Sequence, residues 1–217
     1  MTAIDDTTHA QLVRRAFPPS LGAALDPLLG LGSLAIHPPS GSVTVRVDGI
    51  ELTLPQRTHA LEPPTDLLAR LAPTERLVVA CWYSRHGDGH LRQWHLRELL
   101  ASAEPWVVPY VVELAGDYVL EILLDLRTGL AGLPESGDPR RAVYGRWLAE
   151  NPAHCATVER RVVSYWSCYH RHRAREFADH PGAAVLELLR AAAEAETGRR
   201  RPSQAPRARR GRRPGVG

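Results

Sequence analysis

From Val43 to Leu54 apolar and polar positions alternate on either side of Asp48-Gly49. A period of two marks a half-buried strand. Val43, Val45 and Val47 precede the dipeptide, and Ile50, Leu52 and Leu54 follow it. Asp-Gly is favoured in a type I′ turn, where both central residues need positive φ. A two-residue loop then pairs Val47 with Ile50, Val45 with Leu52 and Val43 with Leu54, so every apolar side chain falls on one face. Arg46 and Glu51 oppose each other on the polar side, a modest electrostatic gain. An isolated hairpin is barely stable in water, so this one is expected to cover one end of a larger body.

From about Asp66 the period becomes helical. Thr74, after Pro73, is expected to cap Glu75–Ser84, and a polar turn separates that segment from Leu91–Ser102. Val107–Leu114 and Tyr118–Arg127, the latter capped by Asp117, read as two further helices, with Glu121 and Asp125 sharing one side. A second hairpin is the rival there, because Val111, Val112, Tyr118 and Val119 also suit strands. Asp138-Pro139 is a helix start, with a capping carboxylate ahead of proline. That helix ends near Asn151-Pro152. A long helix follows to about Phe177, with Val158, Val162, Tyr165, Trp166 and Tyr169 on one stripe, and Ala183–Glu196 forms the last.

The expected fold class is mainly α: antiparallel helix pairs, as an α-α superhelix or helical bundle, with one N-terminal β-hairpin. Residues 1–20 read as a flexible arm with a short helix around Gln11–Phe17. Residues 21–64 form a Pro/Gly-rich segment holding the hairpin at 43–54, and 65–197 the helical domain. Residues 198–217 read as a disordered arginine-rich tail, too charged to bury anything.

The segment Asp88-Gly-His-Leu-Arg-Gln-Trp-His-Leu-Arg-Glu-Leu-Leu100 resembles the second helix of HEAT-like repeats. There an Asp or Asn turn precedes an apolar residue, an arginine, and apolar residues at helical spacing. Asp117-Tyr-Val-Leu-Glu-Ile-Leu-Leu-Asp-Leu126 looks like the next such helix, with Glu121 about where the arginine would stand. The resemblance covers residues 66–130. It implies a protein-binding solenoid, with 138–196 as a third, divergent unit and the hairpin as a cap. Certain DNA glycosylases are also built on HEAT-like repeats, although no motif of theirs aligns here.

Charge sharpens the picture. All 27 basic residues are arginine. A lysine nucleophile or Schiff base is therefore excluded. Eight of those arginines and none of the 24 acids fall in 198–217, so the net charge of +3 hides an acidic body. A polyanion would be gripped by the tail with strong salt dependence. Cys81, Cys155 and Cys168 are odd in number and lack CxxC spacing, which favours a reducing compartment. No apolar leader and no run near the roughly 18 residues of a membrane span occur, so a soluble, cytoplasmic protein is expected.

Three clusters could carry chemistry. Arg160, Arg161, Tyr165, Trp166, Arg171, Arg173 and Arg175 mix cations with aromatics, which suits phosphate contacts plus base stacking. An amphipathic helix with aromatics inward and arginines in solvent accounts for the same pattern. His86, Asp88 and His90 offer imidazole and carboxylate to a metal, against a reading as an interhelix turn in which Asp88 caps a helix. Cys168 and His172 share a helical face at i, i+4 spacing. No GxSxG or HExxH occurs. The leading expectation is a non-enzymatic helical module that binds another protein and needs no cofactor. A nucleic-acid-associated protein using 160–175 and the tail comes second, and a metal-assisted enzyme at His86, Asp88 and His90 third.

The turn yields a direct test. Gly49→Val is expected to cost about 1–2 kcal/mol, because a β-branched residue resists positive φ. Thr44→Ala, on the polar face, should stay within about 0.5 kcal/mol. Equal urea midpoints for the two variants would refute the hairpin.

Overall fold

A computed structural model describes residues 6–31, 35–200 and 202–206. The elements in chain order are α1 (Asp6–Ala16), α2 (Asp26–Gly30), β1 (Ala35–His37), β2 (Ser42–Val47), β3 (Ile50–Pro55) and β4 (His59–Ala60). Eight helices follow: α3 (Thr65–Arg70), α4 (Pro73–Tyr83), α5 (Gly89–Leu99), α6 (Val108–Ala115), α7 (Leu120–Gly129), α8 (Arg140–Glu150), α9 (Pro152–Tyr165) and α10 (Pro181–Thr197). The fold is mainly α with an N-terminal hairpin, and Val107–Arg127 is helical rather than a second hairpin.

The β2–β3 register is the one expected, with Val47 opposite Ile50, Val45 opposite Leu52, and Arg46 opposite Glu51. Asp48 and Gly49 both have positive φ, at 50° and 81°. Val45, Val47, Leu52 and Leu54 are buried in the same core as the helices, while Ile50 at the tip is exposed. The hairpin therefore shares one apolar interior with the helical body. Its outer edge is covered by a side chain. Asn151, at the α8–α9 junction, accepts from the Arg46 backbone N–H and donates to the Arg46 carbonyl, both at 2.8 Å. An amide presenting one acceptor and one donor mimics a neighbouring strand, which satisfies groups an edge would leave open. A further antiparallel pair, β1 with β4, joins Ala35 to Ala60 and His37 to His59. Strands this short carry no readable alternation.

Several expected boundaries move. The supposed flexible arm is a docked helix from Asp6 onward, because Val13, Ala16 and Phe17 are buried together. Phe17 stacks on Tyr110, whose hydroxyl donates to the Ala16 carbonyl at 2.7 Å. Residues 1–5 lie outside the described residues. Thr74 does not cap α4; Pro73 begins it, and the Glu75 carboxylate accepts from the Ala72 N–H at 2.7 Å. Asp138 accepts from the Arg140 N–H at 2.8 Å, as expected of a cap ahead of α8.

The long helix expected to reach Phe177 stops at Tyr165, where a π-helical turn, Trp166–His170, takes over. The buried Trp166 indole donates to the Ala174 carbonyl at 2.7 Å, and Ala174 and Phe177 pack beside it. That closure folds the chain back and ends the helix. The start of the tail is also not what composition suggests. The buried Glu159 carboxylate accepts from the N–H groups of Gln204 at 2.7 Å and Ala205 at 3.0 Å, and from the Ser203 hydroxyl at 2.9 Å. It also pairs with Arg190. One acceptor gathering these donors straps 202–206 across α9 and α10, over a cavity of about 280 Å³ lined by Val158, Leu186 and Leu189. Residues 201 and 207–217 of the expected disordered tail lie outside the described residues.

Removing the edge clamp gives the test. Asn151→Ala should cost about 1–3 kcal/mol, because both Arg46 backbone groups lose their partner in a half-dry place. Glu150→Ala, which loses one bond to the Gly49 N–H at the exposed tip, should cost less. Urea unfolding of the two variants decides the order.

Candidate functional site

Glu113 sits inside α6, the most completely buried helix of the fold. An ionised carboxylate in that setting requires cations. Arg85 Nη2 reaches its Oε2 at 3.0 Å, Arg161 Nη2 its Oε1 at 2.7 Å, and His154 Nε2 lies 3.1 Å from Oε1. Burial alone would push the Glu113 pKa up. The nearby His154 ring and the charges of Arg85 and Arg161 outweigh it and hold the carboxyl well below the usual range. Glu113 is therefore a fixed anion at neutral pH and no proton donor.

One turn further on, Asp117 takes Arg92 in a two-pronged pair, with Nε to Oδ2 and Nη2 to Oδ1 both at 2.9 Å. Arg92 is wholly buried. Its remaining nitrogen, Nη1, donates to the His86 and Gly87 carbonyls at 3.0 and 2.8 Å. Arg57 approaches the same Asp117 at 3.3 Å. Asp117 also accepts from the Val119 N–H at 3.0 Å, so its expected role at the start of α7 is present but secondary to its charge pairs. Arg85, buried as well, donates from Nε to the Pro55 carbonyl and from Nη2 to the Gln56 carbonyl. Four guanidiniums thus converge on two carboxylates where β3, the α4–α5 turn, the end of α6 and α9 meet. Gly116 gives the cluster room: a Cβ there would stand 3.1 Å from Arg161 Nε.

Against this cluster lies an exposed aromatic face. The rings of Tyr118, Tyr165 and Tyr169 are mutual neighbours, with centroids 5.9–6.2 Å apart. Arg92 lies over the Tyr118 ring at 5.6 Å. Tyr118 and Tyr169 are exposed, and Tyr165 is half-buried. The face is held by the π-helical turn, whose His170 ring nitrogen donates to the Tyr118 carbonyl at 2.8 Å. Beyond the turn Arg171, Arg173 and Arg175 are exposed, and among the described residues none of the three is paired with a carboxylate.

The arginine/aromatic set read from the sequence is therefore split. Tyr165 belongs to the aromatic face, Arg171, Arg173 and Arg175 are exposed just beyond the π-helical turn in sequence, and Arg160 is exposed too, donating to Thr157 at 2.8 Å. Arg161 turns inward to Glu113. Trp166 is a core residue, with the Arg171 guanidinium over its ring at 5.7 Å. The sequence reading missed Arg57, Arg85, Arg92, Glu113, Asp117 and Tyr118 as one site. The available signal was an acid, Glu113, inside an apolar run, which demands a buried cation.

His86, Asp88 and His90 do not converge. The His86 ring uses both nitrogens, one against the Ala60 carbonyl and one accepting from the Asp88 N–H, both at 2.9 Å. Asp88 caps α5 through the His90 N–H at 2.7 Å, and His90 points to solvent. Among the described residues no group of three or more His, Cys, Asp or Glu is placed to hold a metal ion. Cys81 is buried, Cys155 half-buried and Cys168 exposed. No helix of the described residues is long and apolar enough to cross a membrane. No family model, curated protein or solved structure matches this chain.

Asp117→Ala is expected to destabilise the protein by about 3–5 kcal/mol, since it strands a buried guanidinium. Asp66→Ala, which breaks the exposed Asp66–Arg70 pair on α3, should hardly move the urea midpoint. Similar midpoints would show that the buried pair does not hold the fold.

Proposed function

We propose that this protein is a non-enzymatic binding module that takes single-stranded nucleic acid on the face formed by Tyr118, Tyr165, Tyr169, Arg171, Arg173 and Arg175. The observation that carries the reading is a cluster of three tyrosines, two exposed and one half-buried, followed closely in sequence by three exposed arginines that have no acid partner among the described residues. Aromatic rings stack on bases of any identity, and unpaired guanidiniums meet phosphates. A generally basic surface would say little. Here residues 1–197 are net acidic, so the cationic patch is local.

The binding reading also fits the acids. Glu113 is locked as an anion, and Asp117 is spent on Arg92 and Arg57, so neither is offered to a substrate as acid or base. The odd number of cysteines and their lack of CxxC spacing favour a reducing, cytoplasmic setting. The stacked helix pairs serve on this reading as a HEAT-like support for the face.

The test is fluorescence anisotropy of a labelled oligothymidylate with the full chain at fixed moderate salt. Tyr169→Ala should weaken binding by about fivefold to a hundredfold, the loss of about 1–3 kcal/mol of stacking. Arg173→Ala should weaken it and lower the salt dependence by about one counterion. Binding unchanged in both variants but abolished by deleting 207–217 would assign it to the tail alone and overturn the reading. So would an acidic protein partner that binds through Tyr169 while the oligonucleotide does not.

A further inference from the structure

The arginine cluster beneath the tyrosines is short of negative charge. Arg57, Arg85, Arg92 and Arg161 carry four positive charges, and Glu113 and Asp117 supply two negative ones. His154 adds a further donor beside Glu113. The hydrogen bonds show the same shortfall. Arg92 has an acceptor for each of its three nitrogens. Arg85 does not: its Nη1 is buried without a hydrogen-bond partner, although the side chain is only 2% exposed. Arg161 uses Nη1 and Nη2 on Glu113, and its Nε is likewise buried and unpartnered.

Like charges are crowded as well. Arg57 and Arg161 each repel Arg85, and burial together with that repulsion brings the Arg85 pKa down to about 10 despite Glu113. Arg57 is lowered in the same direction, by burial and by Arg92. A protein gains little by burying surplus guanidiniums with open donors unless an anion completes the set. Arg57 and Arg161 keep 28% and 29% of their side chains exposed, which gives solvent a route to the cluster.

We propose that Arg57, Arg85 and Arg161 form a binding site for one phosphoryl group. A tetrahedral dianion matches the surplus of two charges, and its several oxygens suit planar N–H forks arriving from different directions. A carboxylate would match only half of the surplus. Arg92, which shares Asp117 with Arg57, lies over the Tyr118 ring, so the seat adjoins an aromatic side chain that can stack. The site thus deepens the nucleic-acid reading by supplying a phosphate seat inside the aromatic face, and it rests on that reading only for the source of the phosphate.

Inorganic phosphate is the probe, titrated into the full chain at constant ionic strength, with chloride as the control and tyrosine fluorescence and thermal midpoint as readouts. Phosphate should raise the midpoint where chloride does not. Arg57→Gln should weaken the phosphate response at least about tenfold. Arg70→Gln, an exposed position on α3 outside both the face and the cluster, should leave it intact. If Arg57→Gln unfolds, Arg57→Lys keeps the charge, removes the fork, and should still weaken the response. Equal effects of phosphate and chloride would overturn the proposal. So would a response that survives both Arg57 variants, or one that Arg70→Gln reduces equally. Phosphate binding that depends on Arg57 without oligothymidylate binding would keep the site and assign its ligand to free phosphate. Oligothymidylate binding that depends on Tyr169, with no specific phosphate response, would remove the site and leave the face standing.

Discussion

The two-pronged contact between Arg92 and Asp117 is the constraint around which the rest of this structure is arranged. Neither side chain reaches water, so each is tolerable only because the other is there. The pair does more than neutralise charge. Arg92 comes from α5 and also ties the carbonyls of the α4–α5 turn, while Asp117 sits where α6 hands over to α7. Glu113 repeats the arrangement one turn earlier and recruits α9 through Arg161 and His154. Through Arg85 the same carboxylate reaches the end of the hairpin at Pro55 and Gln56. Apolar burial supplies the driving force for collapse, but it is indifferent to small shifts in register. The charge cluster is directional and joins four elements, so it selects one arrangement among many with similar oily contacts.

That division explains what could be read from the chain. The hairpin was legible to the residue, because a period of two and an Asp-Gly turn admit one register. Helices α4 to α8 were legible as segments, since their stripes recur at helical spacing, but boundaries slipped by two or three residues, as at Gly89–Leu99 and Leu120–Gly129, and the cap of α4 proved to be Glu75 rather than Thr74. The site was legible in part. Tyr165 and the exposed arginines were visible as a mixed stretch, yet Trp166 and Arg161 in that stretch turn inward. Sequence pattern treats arginine as a surface residue, and nothing local distinguishes Arg85 and Arg92, which are buried, from Arg171 and Arg173, which are not. The difference lies in partners 25 and 28 residues away. The π-helical turn was illegible for a similar reason: it depends on Trp166 finding the carbonyl of Ala174.

The tyrosine face follows from the same scaffold. Asp117 fixes the backbone immediately before Tyr118, and Arg92 lies over that ring from below. His170 then holds the π-helical turn against the Tyr118 carbonyl, which brings Tyr169 to the other two rings. Three aromatic side chains are thereby presented on rigid backbone with their outer sides uncovered. Such preorganisation lowers the ordering cost of binding, whatever is bound.

The strap bears on how the arginine-rich segment contributes. Glu159 fixes Gln204 and Ala205 to the body, and Trp166, Phe177, Ala205 and Pro206 line one cavity. The chain therefore reaches residue 206 alongside the turn that bears Arg171, and the arginines of 207–213 follow directly in sequence. On the proposed reading, a polyanion bound by those arginines would be held at high effective concentration beside the body, so weak phosphate contacts could reinforce each other without a large interface. The net acidity of residues 1–197 would suit this arrangement, because it disfavours polyanions over most of the surface.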